Sequence, residues 1–269
     1  MISNNNLLKP FLRWAGGKQW LVPELISYIP KNNYTYYEPF IGGGSLFFAT
    51  KPKKSFLSDM NKDLIDTYKI LRDYPNHLIS ILKKWENDKD TYYYIRNLEF
   101  DNEISKAAQF IYLNKTCWNG LYRVNRKGKF NVPFGYNNRK TFTESNIIQC
   151  SRILKNANLN HNDYEQSLKT AKTGDFIYLD PPYTVLHSKN GFRQYNEKLF
   201  TWDDQIRLAD IAFRLYKSGC YVVISNANNN EIINLYPDFR YKEISRHSVI
   251  AANPSYRCKI TELLFISKT

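Results

Sequence analysis

Four consecutive residues, Asp180-Pro181-Pro182-Tyr183, follow directly on the apolar run Phe176-Ile177-Tyr178-Leu179. An ionised carboxylate only accepts hydrogen bonds, and beside a fixed backbone carbonyl it can take both protons of an amino group. Two prolines stiffen such a turn and fix where the flanking carbonyls point. The tyrosine ring can stack on a planar base. The same four residues would also suit a Pro-rich turn carrying a surface acid.

A second grouping lies near the start of the chain. Tyr36-Tyr37-Glu38-Pro39-Phe40 reads as a strand running into Gly42-Gly43-Gly44, and Ser45-Leu46-Phe47-Phe48-Ala49 then opens a helix. A strand, glycines and a helix present unpaired backbone N–H groups, and glycine lets the backbone approach a ligand closely. The spacing is neither the six-residue dinucleotide fingerprint nor a P-loop. Asp59, at the end of the next strand Ser55-Phe56-Leu57-Ser58, could hold a ribose diol. The alternative is a tight structural turn with a helix-capping acid. Trp14-Ala15-Gly16-Gly17-Lys18 adds a close-approach loop that is weak on its own. His77, His161, His187 and His247 show no ligand spacing, so no metal is expected.

The elements that must position these groups fall into three regions: 1–70, 71–150, which differs in character from its flanks, and 151–269, which returns to the α/β character of the first. In the first, Asn61 is placed to cap a helix opening at Lys62. The second is helical through Lys106–Leu113, then basic and turn-rich. Arg123–Val132 has the alternation and central glycine of a β-hairpin. The third returns to strands at 176–179, 221–225 and 262–267, with helical spacing from Asp203 to Lys217. Strands separated by helices imply an α/β fold with a doubly wound, mostly parallel sheet.

Composition sets the outer limits. The chain has 269 residues and is 43% hydrophobic, which suits one large α/β domain, or a core domain with one insertion. No apolar run reaches the roughly 18 residues that span a bilayer. Met1–Lys9 is Asn-rich and does not read as a signal peptide. A soluble, cytoplasmic, monomeric protein without membrane association is expected. Cys117, Cys150, Cys220 and Cys258 are far apart, which suggests neither a zinc site nor a disulfide framework. The net charge of +13 favours a polyanionic partner, and its distribution says more than its size. Lys115 to Thr143 holds seven basic residues and no acid, interleaved with Trp118, Tyr122, Phe130, Phe134, Tyr136 and Phe142. Basic residues suit phosphates and aromatics suit bases. A solvated basic loop over a small aromatic core would look the same.

Taken together, Phe11–Lys18, Glu38–Gly44, Ser58–Asn61 and Asp180–Tyr183 resemble the Dam-type (alpha-class) adenine-N6 DNA methyltransferases, in that family's motif order. Asn119–Asn125 and Phe130–Gly135 are similar to the recognition hairpin of members that methylate GATC. Leu208–Ile211, Ile224–Asn226 and Ser255–Leu264 fit the later motifs. The resemblance covers nearly the whole chain. It implies the S-adenosylmethionine-dependent methyltransferase fold with an inserted helical and β-hairpin recognition domain.

The resemblance also assigns roles. Trp14, Ala15, Gly16, Lys18, Glu38, Pro39, Phe40, Gly42 and Gly44 would line the S-adenosyl-L-methionine pocket, with Met60 beside them. Asp59 would hold the ribose hydroxyls, and Asp163 and Tyr164 would contact the cofactor adenine. Asp180, Pro181, Pro182 and Tyr183 would be catalytic, with Asp180 also facing the cofactor. Arg13, Asn119, Leu121, Arg123, Asn125 and Pro133 would face DNA. Trp118 stands where a wedge enters the base stack, a place more usually held by tyrosine. Double-stranded DNA is the implied partner, with a cognate restriction endonuclease as a candidate functional one. The target adenine must leave the duplex to be reached. Tyr183 would stack on it while Asp180 and the Pro181 carbonyl accept from its amino group, for direct in-line methyl transfer. Two rivals are a different acceptor, such as cytosine, RNA or a protein amide, and a DNA-binding module without activity. The basic hairpin argues against the first and the intact Asp180–Tyr183 turn against the second.

Overall fold

The computed structural model describes residues 7–125, 127–136, 141–184, 200–247 and 259–267. Arg126, His187 and the stretch Ser255–Cys258, all used above, lie outside the described residues. The chain divides into two compact units. One holds the residues up to Ile26, Ile41–Lys53 and Leu57–His161. The other holds Ser27–Phe40, Lys54–Phe56 and Asn162 onward.

Among the described residues the strands are β1 (Tyr36–Glu38), β2 (Ser55–Asp59), β3 (Ala157–His161), β4 (Phe176–Leu179), β5 (Tyr221–Ala227), β6 (Arg240–His247) and β7 (Lys259–Ile266). Their order is β3-β2-β1-β4-β5-β7-β6. β4 runs parallel to both β1 and β5, whereas β7 runs antiparallel to β5 and β6. The sheet is therefore mixed, with its antiparallel part formed by the C-terminal strands. Strand order reverses between β1 and β4. In open α/β sheets the carboxyl ends of strands at such a reversal form the binding crevice. Glu38-Pro39-Phe40 and Asp180-Pro181-Pro182 occupy those two ends.

In the first unit, the helices Lys62–Asp73, Pro75–Leu82, Lys89–Asn97, Glu103–Thr116 and Glu144–Leu154 pack on one another, with Glu103–Thr116 touching three of the others. Asn61, Asp88, Asn102 and Thr143 cap four of these helices, each side chain accepting from a backbone N–H of the first turn. Phe47, Leu64, Tyr68, Ile111 and Tyr112 are fully buried. In the second unit, Ile177, Leu179, Val222, Ile224 and Phe265 pack with Leu208, Ile211 and Ala212 of the helix Trp202–Lys217. Thr201 and Asp204 close that helix's first turn with a reciprocal capping box. β1 is shorter than the apolar run around it: it ends at Glu38, because Pro39 has no N–H to give a ladder.

The Arg123–Val132 hairpin forms with minimal pairing. Val124 and Phe130 make an isolated antiparallel bridge, and the Asn125 N–H donates to the Lys129 carbonyl at 2.8 Å. Gly128, at φ 74°, makes the turn. Among the described strands, two have no counterpart in the sequence reading. β3 carries Asn158, Asn160 and His161, and β6 alternates charged residues with Tyr241 and Ile244, so neither shows a strong apolar signature.

Candidate active site and nucleic-acid interface

In the second unit, the turn after β4 is held by polar side chains from three elements. The Ser225 hydroxyl on β5 donates to Asp180 Oδ1 at 2.6 Å. The Tyr178 hydroxyl is 2.9 Å from the Ser225 oxygen. Because Ser225 gives its single proton to the carboxylate, Tyr178 is the donor in that pair. Buried Gln205 donates to the Pro182 carbonyl at 3.2 Å and accepts from Asn226 Nδ2 at 3.1 Å. The Tyr183 hydroxyl donates to Glu262 Oε2 on β7 at 2.8 Å, and Glu262 is 3% exposed. Burial, reinforced by the Asp180 charge, pushes the hydroxyls of Tyr178 and Tyr183 well above the ordinary tyrosine range, so both remain donors. At the end of β1, buried Glu38 accepts from the Tyr36 hydroxyl at 2.8 Å. Burial and then the Glu38 charge raise Tyr36 in the same way.

The neighbouring residues carry packing as well as polarity. Phe40 packs on Tyr164 with ring centroids 5.4 Å apart and edge-on to Phe200 at 5.7 Å. Tyr164 is buried, donates to the Asp204 carbonyl and lies under the Arg207 guanidinium at 4.5 Å. Asp163 caps the helix Tyr164–Leu168 and pairs with Arg207 at 3.1 Å. The polar ends of Asp163 and Tyr164 thus serve the second unit's own structure.

In the first unit, the glycine turn is built around Asp59. Its Oδ2 accepts from the Gly42 N–H at 3.1 Å and its Oδ1 from the Asn61 N–H at 2.9 Å. Burial raises the Asp59 carboxyl above the usual range, against the lowering effect of those N–H donors and of His161. Gly42 sits at φ 44°, and a Cβ there would meet the Trp14 ring at 2.6 Å. Its carbonyl accepts from the Tyr68 hydroxyl at 3.0 Å. Gly44, at φ 68°, approaches the same hydroxyl. Met60 is 63% exposed, with its carbonyl 3.1 Å from His161 Nε2. In the Trp14–Lys18 loop, the Gly17 N–H donates to the Trp14 carbonyl, and the buried Lys18 ammonium donates to the Gly16 carbonyl at 2.9 Å. Ala15 and Gly16 are exposed. The Trp14 ring stacks on Tyr122 at 5.6 Å and on Phe110 at 6.2 Å.

The basic stretch forms a layer of the same unit. Trp118 opens a single 3-10 turn, Trp118–Gly120, is 46% exposed, and donates its N–H to the Pro133 carbonyl at 2.9 Å. Asn119 sits at φ 56°. Exposed Arg123 donates from Nε to Asn131 Oδ1 at 2.8 Å and from a terminal nitrogen to the Asn131 carbonyl at 3.3 Å. The Asn125 side chain accepts from the Lys127 and Lys129 N–H groups, so it shapes the hairpin turn. Leu121 is half-buried and Pro133 exposed. Arg13 is half-buried, and Asn114 grips its backbone on both sides. Burial and the adjacent Arg13 cation hold the Lys115 ammonium down at about 8.

Of the sequence-selected residues, Trp14, Gly42, Gly44 and Asp59 are thus linked through the glycine turn, and Arg13, Trp118 and Pro133 through the Trp118–Gly120 turn. Asp180 and Tyr183 sit on one pinned loop of the second unit. Sequence reasoning gave no role to Ser225, Gln205 or Glu262. Their signal is a polar residue inside or beside an apolar run, at a position where nothing but a partner could satisfy it.

A mixed α/β sheet with a glycine turn after β1 and a carboxylate-Pro-Pro-Tyr turn after β4, at the reversal of strand order, defines the chain as an α/β methyltransferase. Residues 14–250 match the D12 class N6 adenine-specific DNA methyltransferases, and the chain belongs to that family. It is 37% identical over 268 residues to the type II methyltransferase M1.LlaDCHI of Lactococcus lactis subsp. cremoris, covering 96% of this chain and 94% of that one. It is 38% identical to the type II methyltransferase M.MjaIII of Methanocaldococcus jannaschii, over 88% of this chain and 91% of that one. Identity to the DNA adenine methylase of Escherichia coli (strain K12) is 32%, over 97% and 95% of the two chains. The resemblance drawn from the sequence holds: the chain is an adenine-specific DNA methyltransferase, an enzyme that needs a methyl donor and acts on DNA.

Proposed function

We propose that the chain transfers a methyl group from S-adenosylmethionine to the N6 amino group of a flipped-out adenine in double-stranded DNA, with GATC as its target. The observation that carries the reading is the Asp180–Tyr183 turn, whose carboxylate, carbonyl and ring are each held by a neighbouring side chain.

The donor chemistry of the chain fits S-adenosylmethionine. That molecule presents a ribose diol, an ammonium and a sulfonium, which call for carboxylates. Asp59 ends β2 and Glu38 ends β1. Gly42, at φ 44°, has no room for a Cβ because the Trp14 ring packs against it, so the glycine turn and the Trp14 loop are held together. Asp59 would hold the ribose hydroxyls, with Trp14, Gly16, Lys18, Pro39, Phe40 and Met60 around the donor. When bound, the donor supplies an electrophilic methyl group on a sulfonium.

This chain's own residues do the rest. Tyr183 stacks on the extruded base, and Asp180 accepts from its amino group. The Pro181 carbonyl would be the second acceptor, as the family resemblance implies, next to a Pro182 carbonyl held by Gln205. Acceptors on both amino protons draw electron density onto the nitrogen, localise its lone pair and leave it to attack in line. Catalysis here is positioning and electrostatics. Arg123 reads guanine, and Trp118 fills the space the adenine leaves. Names among the relatives point both to DNA adenine methylases and to type II methyltransferases, so a paired restriction endonuclease is the candidate functional partner. Among the described residues no helix is long and apolar enough to cross a membrane. We place the enzyme in the cytoplasm, acting as a monomer.

The test is sequencing of modified bases in DNA treated with the protein and S-adenosylmethionine. N6-methyladenine at GATC supports the whole reading. N6-methyladenine at another site removes the target assignment and leaves the chemistry. Asp180→Ala should abolish the product while DNA affinity persists, since phosphate contacts dominate affinity. Activity within about tenfold of wild type, or about 1.4 kcal/mol in the barrier, would remove Asp180 from the role.

A further inference from the structure

Asn114 lies at the C-terminal end of the helix Glu103–Thr116 and is 1% exposed. Its side chain makes three hydrogen bonds to backbone. Oδ1 accepts from the Arg13 N–H at 2.9 Å, Nδ2 donates to the Arg13 carbonyl at 2.7 Å, and Nδ2 also reaches the Gly120 carbonyl at 3.3 Å. One amide therefore fastens the residue before Trp14 to the last residue of the Trp118–Gly120 turn.

The surrounding contacts leave little slack. At Gly120, φ is 65° and a Cβ would come within 2.5 Å of the Arg13 Cβ. At Gly42, a Cβ would come within 2.6 Å of the Trp14 ring. Trp14 in turn stacks on Tyr122, just beyond the recognition turn. A contiguous path thus runs from Asp59 through Gly42, Trp14, Arg13 and Asn114 to Gly120, all within the first unit. Close-packed contacts of this kind transmit displacement, since no member can shift without its neighbour.

We infer that Asn114 is a positioning residue that couples occupancy of the donor-binding loop to the geometry of the target-recognition turn. The inference rests on the proposed function, in which Gly42 and Trp14 hold the donor and Trp118–Arg123 read DNA. A ligand that settles Trp14 against Gly42 fixes Arg13, and Asn114 carries that constraint to the Gly120 carbonyl. Because coupling between two binding sites is reciprocal, DNA bound at the turn must tighten the donor site by the same factor.

The experiment measures duplex affinity by fluorescence anisotropy, with and without saturating S-adenosylhomocysteine, on a duplex carrying the site found by modified-base sequencing. The ratio of the two dissociation constants is the coupling factor. For wild type we expect at least about fivefold, the low end for coupled sites. In Asn114→Ala the ratio should fall toward one, with a matching loss when S-adenosylhomocysteine binding is measured with and without duplex. Hydrogen exchange on the wild type gives an independent reading that needs no variant. S-adenosylhomocysteine alone should slow exchange of the Arg13 amide and of Trp118–Leu121. An unchanged ratio in Asn114→Ala, a wild-type ratio of one, or no protection at Trp118–Leu121 overturns the inference. Failure of wild type to bind either ligand overturns the proposed function instead. If Asn114→Ala does not fold, the exchange measurement decides alone.

Discussion

Ser225 donates its hydroxyl to Asp180 Oδ1 at 2.6 Å, across the paired strands β5 and β4. The donor is itself oriented, because the Tyr178 hydroxyl occupies the Ser225 oxygen. In the proposed mechanism that carboxylate accepts an amino group, and these bonds fix its rotation before any substrate arrives. Ser225→Ala should lower kcat by about 10- to 100-fold, the equivalent of about 1.5–3 kcal/mol for a hydrogen bond to a charged group. The KM for DNA should change little. A single-turnover methylation rate within twofold of wild type would show that Asp180 needs no such support.

Asp59 gives a prediction with a pH sign. Burial raises its folded-state carboxyl above the unfolded value. A raised acid favours its protonated form, so the Asp59 contribution to stability is fully present below the unfolded pKa and is lost as pH rises through the folded one. In the proposed donor site binding runs the other way, since ribose hydroxyls need the ionised acceptor. S-adenosylhomocysteine affinity measured by calorimetry should weaken on acidification, beginning at higher pH than an ordinary aspartate would dictate. Asp59→Ala should cost about 1.5–3 kcal/mol of that affinity and remove this pH dependence. Affinity that falls equally with pH in both proteins would assign the titration elsewhere.

Arg123 is aimed by Asn131, which takes Nε and one terminal nitrogen. A guanine contact to O6 and N7 is worth roughly 1–3 kcal/mol against a wrong base. Arg123→Ala should therefore reduce methylation of GATC far more than that of sites with the guanine replaced. Asn131→Ala should do the same more weakly. If both substrates fall by one factor and the salt slope drops by about one, Arg123 is a phosphate contact.

Trp118 combines an exposed ring with a backbone fastened to Pro133. Trp118→Ala should leave duplex affinity within about threefold and impair extrusion of the base, whose unstacking costs a few kcal/mol. The readout is fluorescence of 2-aminopurine placed at the target adenine, which should lose most of its rise on binding. A full rise in the variant would mean that the base leaves the stack without a wedge.

Much of this was legible because the informative residues are conformational extremes. Gly42 and Gly44 must be glycine at positive φ beside Trp14 and Tyr68, and Pro39, Pro181 and Pro182 end or stiffen their strands. Such positions announce themselves in sequence. β4 and β5 were readable because both are buried on two faces and so are continuously apolar. β3 and β6 were not, since they lie at the two edges of the sheet order, where polar residues are tolerated. The partners of Asn114, Gln205 and Glu262 could not be read from the sequence for a different reason. Each acts through a partner far along the chain, with Asn114 and Arg13 separated by 101 positions and Glu262 and Tyr183 by 79. No local pattern carries that pairing.

The parallel pairing of β1 with β4 joins Tyr36 to Phe176, and beside it the Thr35 N–H donates to Asp175 across 140 positions. During synthesis the Tyr36–Glu38 segment therefore emerges long before its neighbour exists. At about 5–20 residues per second, the interval is on the order of 7–28 seconds. Throughout that time a strand bearing buried Tyr36 and Tyr37 has no β4 to pair with on that side. Slowing translation should lengthen this vulnerable interval and increase aggregation or chaperone capture of the nascent chain, without altering the finished enzyme.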